Sequence, residues 1–236
     1  MARDTLHGLR SSPRRAPAKP VRPIEPDAAE RVAAVMTRFF EADPDPKAGF
    51  DDTDPFRLLV TVLLSAQSTG PTVARIAESL FSAAQDPAGM LALGEARITE
   101  IIRPVGLGPS KARNIVKLSA VLISEFGGTV PRRSVEMRRL PGIGRKSAEV
   151  TANFAFHEPV IAVDTHVFRV SNRIPLAPGA TVDAVADGLA RIVPEQFKDG
   201  AHVWLFRHGR DTCTARKPAC PRCPVSDLCV WPGKAV

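Results

Sequence analysis

The four cysteines form the clearest chemical pattern in this sequence. Cys213, Cys220, Cys223 and Cys229 follow the spacing C-x6-C-x2-C-x5-C within one short segment. Disulfides usually join cysteines that are spread along a secreted chain, so this crowding indicates ligands of one metal centre. Zinc modules usually show two close pairs, whereas one C-x2-C pair with outlying cysteines favours a [4Fe–4S] cluster. The spacing predicts this cluster, in a structural role, and leaves zinc as the alternative.

A second pattern is the turn L-P-G-I-G-R-K at residues 140–146. Gly142 and Gly144 permit a tight turn, and the free amides of the following helix can contact a phosphate. Lys146 ends the turn, and Asp164 lies eighteen residues later, just before a predicted helix. Most lysines on basic turns bind phosphate or stay solvated, and an aspartate at a helix start contributes about 1 kcal/mol as a cap. Spacing alone leaves both a catalytic pair and a structural pair open.

Helices are the elements that must hold these residues in place. Apolar residues recur at helical spacing from Val32 to Phe40, and the stretch 56–66 is apolar nearly all round, as expected for a buried helix. A glycine-rich turn at 106–111 is expected to expose Leu107. Only residues 160–163 resemble a strand, so the chain is predicted to be all-α. Further helices are predicted at 73–81, 115–126 (ending at Gly127-Gly128), 144–156, 182–193 and 195–208.

Composition sets wider bounds on the function. The chain has 236 residues, of which 44% are hydrophobic, so we expect a globular protein. It has neither an apolar run of about 20 residues nor a signal peptide, so we expect neither membrane insertion nor export. The net charge of +7 points weakly to a polyanionic partner. Residues 1–26, with six basic and two acidic residues, account for +4 of it and are predicted to be a flexible tail.

Taken together, five segments make the chain resemble the endonuclease III family, in the helix-hairpin-helix superfamily of DNA glycosylases. The resemblance covers Val32 to Trp231 and includes the cysteine spacing. The matching segments, in the order of the family, are LLSAQ (63–67), VGLGPSKA (105–112), LPGIGRKSAEV (140–150), AVDTHVFRVSNR (162–173) and HGRDTC (208–213).

The resemblance implies two helical modules flanking a DNA-binding cleft. A barrel-like module with the helix-hairpin-helix would comprise residues 50–158. A cluster module would combine residues 27–49 with 159–236, after the tail at 1–26. The hairpin and Asp164 would then meet where the modules join.

The resemblance also implies base excision repair in duplex DNA that carries oxidised, mainly pyrimidine, bases or abasic sites. Lys146 would be the nucleophile, with a pKa lowered by burial and by Arg145, and would cut the strand by β-elimination through a Schiff base. Asp164 would stabilise developing positive charge. Gln67 would fill the gap left by the flipped base, and Leu107 would be the wedge. Further DNA contacts are expected from Gly142, Gly144, Arg145 and His166. We expect a monomer in the bacterial cytoplasm, acting at the chromosome.

Both the lesion preference and the class of protein stay open. The family usually has an aspartate where this chain has Gly70, so the lesion preference is open. A monofunctional adenine-mismatch glycosylase is one alternative, although such enzymes generally lack the hairpin lysine and carry an extra C-terminal domain. The other is a non-catalytic DNA-binding or redox module, which would not depend on Lys146.

Overall fold

The computed structural model describes residues 27–50 and 54–234, so the predicted tail lies outside the described residues. All regular structure in this part is helical, as predicted, and residues 160–163 are irregular and form no strand. Short 3-10 turns occur at Glu195–Phe197 and Cys220–Arg222. The α-helices are α1 (Ala28–Ala42), α2 (Pro55–Ser65), α3 (Gly70–Ala83), α4 (Pro87–Ile101), α5 (Gly108–Phe126), α6 (Ser134–Met137), α7 (Arg145–Phe156), α8 (Thr165–Arg173), α9 (Val182–Ile192) and α10 (Lys198–Asp211).

Several helix ends follow directly from local sequence. Asp54 and Asp86 accept backbone N–H bonds at the starts of α2 and α4, each followed by a proline that suits the first helical turn. α5 ends at Gly127 in the left-handed conformation, which confirms the predicted glycine cap.

Helix α4 has no counterpart among the sequence predictions. Its backbone is interrupted at Gly94, where φ is 75°, so two shorter helical pieces meet at a kink. Only Pro87, Met90 and Ile98 are buried along its length. Because so few positions are buried and a glycine breaks the helical period, the apolar pattern that marks the other helices is absent here.

Two hydrophobic cores organise the described residues. One lies among α2 to α7 and contains buried residues from Phe56 to Ala152. The other joins α1 to α8, α9 and α10, with buried residues between Val32 and Phe39 and between Ile161 and Val225. We propose that these cores are the two modules expected from the sequence. Leu58 and Val62 of α2 pack with Val150 and Ala162 in a small cluster where the cores adjoin.

No helix in the described part of the chain is both long and apolar enough to cross a membrane.

Candidate active site

The hairpin before α7 is built on two glycines. Gly142 has φ of 80°, and a Cβ there would come within 2.6 Å of the Asn114 side-chain nitrogen, so only glycine fits. Gly144 caps α7 in an extended conformation, and no side chain caps this helix start. Both glycines are exposed. The amides at this helix start can therefore approach an anion, and the DNA contacts of the two glycines remain predictions.

Lys146 lies in the first turn of α7 and is half-buried. Burial lowers the pKa of its ammonium below the ordinary value, while the nearby Asp164 carboxylate acts in the opposite direction. A lysine with a lowered pKa supplies more of the neutral amine, which is the nucleophilic form.

Asp164 is held at the start of α8 by two hydrogen bonds. Its Oδ1 accepts the backbone N–H groups of His166 and Val167, each at 2.8 Å. This confirms the expected helix start at Thr165. The carboxylate is thus fixed in orientation by backbone and lies close enough to Lys146 for its charge to act on the amine.

The expectation for Arg145 needs correction in one respect. Its guanidinium pairs with Glu149 at 2.7 Å, with Asp187 at 2.7 Å and with Asp183 at 3.2 Å. The lowered pKa of Lys146 is caused by burial, and Arg145 is not among its causes. Since three carboxylates engage Arg145, its positive charge is largely compensated, and it ties α7 to α9. A phosphate contact by Arg145 remains a prediction.

Two further basic residues, a buried histidine and a half-buried lysine, lie around this site and were not predicted from the sequence. His202 of α10 is 8% exposed, and its Nδ1 lies 2.8 Å from the carbonyl oxygen of Ala162. Burial lowers the pKa of His202, and the Lys146 charge acts in the same direction. Lys47 donates to the Asn153 carbonyl at 2.9 Å and to Asp199 at 2.7 Å. The only signal for His202 was a polar residue within an apolar run of α10.

Gln67 and Leu107 lie on neighbouring loops. Both have left-handed backbones, with φ of 56° and 62°, which is unusual for residues other than glycine. Gln67 is exposed and Leu107 is 58% exposed, so Leu107 is not a core leucine. A Cβ at Gly106 would lie 3.1 Å from the Gln67 carbonyl oxygen, which shows how closely the loops approach. An open pocket lies beside them, lined by Gln67, Ser68, Thr69, Thr72, Pro104 and Gly106.

His166 is half-buried against α10. Its ring meets Phe206 edge-on at 5.2 Å, and its Nδ1 lies 3.2 Å from Nη2 of Arg169. These contacts give His166 a packing role, while its DNA contact remains a prediction.

The four cysteines line one pocket together with Arg173, His208 and Lys234. Arg173 Nη1 lies 3.6 Å from Cys213 Sγ, and His208 Nε2 lies 3.8 Å from Cys223 Sγ. Four cysteine sulfurs around one pocket are the donor set of an iron–sulfur cluster, so these residues fit such a group. No three His, Cys, Asp or Glu side chains within 27–50 and 54–234 are arranged to hold a single metal ion.

The chain is similar to several known proteins. Family models match residues 60–195 (HhH-GPD superfamily base excision DNA repair protein) and 213–229 (iron–sulfur binding domain of endonuclease III). Endonuclease III of Escherichia coli (strain K12) is 44% identical over 200 residues, 85% of this chain and 95% of that protein. Endonuclease III of Treponema pallidum (strain Nichols) is 45% identical over 198 residues, 84% and 94% of the two chains. The structure of a trapped endonuclease III–DNA covalent intermediate, an estranged-adenine complex, matches with a TM-score of 0.79 and 37% identity, covering 86% of this chain and 95% of that one.

Proposed function

Since the chain belongs to the endonuclease III family of base excision DNA repair proteins, we propose that it removes oxidised pyrimidine bases from duplex DNA and then cuts the abasic strand. The family membership makes it a DNA glycosylase with AP lyase activity that carries an iron–sulfur cluster. The lesion class is proposed from the family resemblance, and the roles of individual residues are proposed from that resemblance together with their contacts in the structure.

The observation that carries the proposal is the half-buried Lys146 beside a fixed Asp164. Burial lowers the pKa of the amine, and two backbone N–H groups orient the carboxylate. A nucleophilic lysine needs its neutral form, and developing positive charge on a sugar needs a nearby anion. The two side chains together supply both requirements.

The reaction proceeds in two stages on these residues. The Lys146 amine attacks C1′, the bond from C1′ to the base breaks, and the base departs with the electron pair and takes up a proton. Loss of the amine proton and opening of the sugar ring give a Schiff base between Lys146 and C1′. A proton acceptor then removes the C2′ proton, the C3′–O bond breaks, and the 3′ phosphate leaves. Water finally hydrolyses the imine and regenerates the free amine.

The damaged base must leave the stack before this chemistry begins. Leu107 is exposed on its loop and is suited to enter the broken base step as an apolar wedge. Gln67, on the adjacent loop, carries an amide that can hydrogen-bond to the orphaned partner base. The family resemblance implies these two roles, and the exposure and proximity of the two loops support them.

We further propose that Cys213, Cys220, Cys223 and Cys229 ligate the cluster, here [4Fe–4S]. When bound, the cluster crosslinks four points of this segment. Arg216, Lys217 and Arg222 are exposed on the same segment and can contact phosphates. We expect Cys223→Ser to lose iron content and visible absorption. Anaerobically purified protein that contains only zinc would contradict the assignment.

Borohydride trapping tests the function. Wild-type protein with its cluster loaded should form a covalent adduct on duplex DNA that contains thymine glycol or an abasic site. Lys146→Ala should bind the same duplex without forming an adduct. Lys117→Ala, which removes an exposed lysine of α5, serves as the control and should trap like wild type. Absence of an adduct from loaded wild type would refute the proposal, as would a normal adduct with Lys146→Ala.

Lesion class is tested with a panel of defined duplexes. We expect faster excision of thymine glycol and dihydrouracil than of 8-oxoguanine, and the reverse order would contradict the proposed substrate. We also propose that the protein acts as a monomer on the bacterial chromosome. Light scattering of the free protein and of its DNA complex checks the monomer.

A further inference from the structure

Lys111 is a buried lysine that the proposed chemistry does not use. It lies in the first turn of α5 and is only 5% exposed. Its Nζ donates to the carbonyl of Leu64 at 2.8 Å, to the carbonyl of Ala66 at 2.5 Å and to Oγ of Ser68 at 3.3 Å. An ammonium has three N–H donors, so these three acceptors use all of them.

Two of the three acceptors are carbonyls at the C-terminal end of α2, where the last carbonyls lack helical partners and carry partial negative charge. Within 27–50 and 54–234, the hydrogen-bond acceptors of the Lys111 ammonium are two carbonyls and a hydroxyl and include no carboxylate, and desolvation lowers its pKa. The lysine therefore serves as a cap from another helix. A buried charge without an anion is costly, so the geometry it maintains is expected to have a use.

The contacts of Lys111 flank both residues assigned to base flipping. Its side chain binds Ala66 and Ser68, on either side of Gln67. Its own backbone N–H donates to the Leu107 carbonyl at 3.0 Å. Gln67 and Leu107 have the left-handed backbones described above, which relax unless their surroundings hold them. That backbone bond opens α5 and would form with any residue at this position, so the lysine side chain acts by tying the start of α5, next to Leu107, to the loop that holds Gln67.

We propose that Lys111 is a positioning residue that holds the Gln67 and Leu107 loops as a preformed unit for entry into the DNA duplex. This rests on the proposed function, since it assumes that these loops open the base stack. Preformed loops spare the enzyme the cost of ordering them during base flipping. Lys111 should therefore matter for reactions that need flipping and not for reactions on DNA that is already unstacked.

Single-turnover kinetics on two substrates separate this role from a general structural one. Lys111→Met keeps much of the side-chain length and removes the three hydrogen bonds. We expect it to slow thymine-glycol excision from duplex DNA about tenfold or more, while its lyase rate on a single-stranded abasic oligonucleotide stays within about twofold of wild type. Rates are normalised to the active fraction found by borohydride trapping. Partial misfolding therefore does not change the ratio of variant rate to wild-type rate on either substrate. Lys111→Arg, which retains the charge and several donors, should recover part of the duplex rate.

Two further variants keep the test decisive if Lys111→Met folds poorly. Ser68→Ala removes one acceptor and should lower the duplex rate selectively by a smaller factor. In a Gln67→Ala background, Lys111→Met should lower the duplex excision rate by a smaller factor than it does in wild type, because both changes disable the same loop. Equal losses on duplex and single-stranded substrates, or fully additive effects, would overturn the positioning role. If wild type forms no covalent adduct at all, the proposed function fails first.

Discussion

Asp164 is assigned two separable tasks, and its two substitutions should separate them. As a helix cap it accepts two backbone N–H groups at 2.8 Å. As a carboxylate it stabilises positive charge beside Lys146. Asp164→Asn keeps a side-chain oxygen that can accept the same hydrogen bonds, whereas Asp164→Ala removes both the acceptor and the charge.

The expected magnitudes differ accordingly. Loss of an N-cap costs about 1 kcal/mol of unfolding free energy, which lowers Tm by roughly 2–4 °C for a chain of this size. Asp164→Ala should show this loss, and Asp164→Asn should retain most of the stability because asparagine caps helices almost as well. Both variants should excise thymine glycol about 100-fold more slowly than wild type in single turnover, since both lack the charge.

Asp54 provides the matched control. It caps α2 in the same way, accepting the N–H groups of Phe56 at 2.8 Å and Arg57 at 3.0 Å. Asp54→Ala should therefore lose about as much stability as Asp164→Ala with an unchanged excision rate. Calorimetry and quench-flow assays on the same preparations give both numbers. Full activity in Asp164→Asn would refute the chemical role, and undiminished stability in Asp164→Ala would refute the cap.

Three further predictions follow. Because burial lowers the pKa of Lys146, the excision rate should rise with pH to a midpoint below the ordinary lysine value of 10.5; a midpoint at that ordinary value would contradict the argument. Burial raises the pKa of Glu149 above its ordinary 4.5, so the folded protein holds this proton to higher pH than the unfolded chain, and the free energy of unfolding should fall as pH rises from the ordinary value through the raised one. Glu149→Gln should flatten that slope in urea titrations from pH 4 to 8, and an unchanged slope would exclude Glu149 as its source. Gly70 opens α3 with free space around its Cβ position, so Gly70→Asp should fold normally, gain about 0.3–1 kcal/mol at the helix start, and change the ratio of rates across the lesion panel; unaltered ratios would show that this position does not affect the pocket.

The sequence predicts those parts of the structure that short-range chemistry determines. The cap at Asp164 and the glycine end of α5 depend on residues within a few positions of each other. Helix α4 is missed because it has few buried positions and a kink at Gly94.

The candidate site is predictable only where local sequence carries the signal. The hairpin glycines and Lys146 belong to one short segment, so the sequence alone predicts that they lie together. Arg145 and Lys111 have partners that are remote in sequence: Asp183 and Asp187 belong to α9, and Leu64 lies in the last turn of α2. A basic side chain looks the same in sequence whether it contacts a phosphate, a carboxylate cluster or a helix end. Only the tertiary packing decides among them.

The second hydrophobic core also has a consequence for how the chain is made. Among the described residues, the apolar face of α1, which includes Val32, Met36 and Phe39, belongs to a core whose other buried members lie between Ile161 and Val225. At the usual 5–20 residues per second, the ribosome needs about 6–25 s to synthesise the roughly 120 residues between them. During that interval the α2–α7 core can already assemble, while α1 remains an amphipathic segment without its permanent partner. We therefore expect the nascent chain to expose this apolar face to chaperones until the segment that begins at Ile161 emerges and starts to cover it.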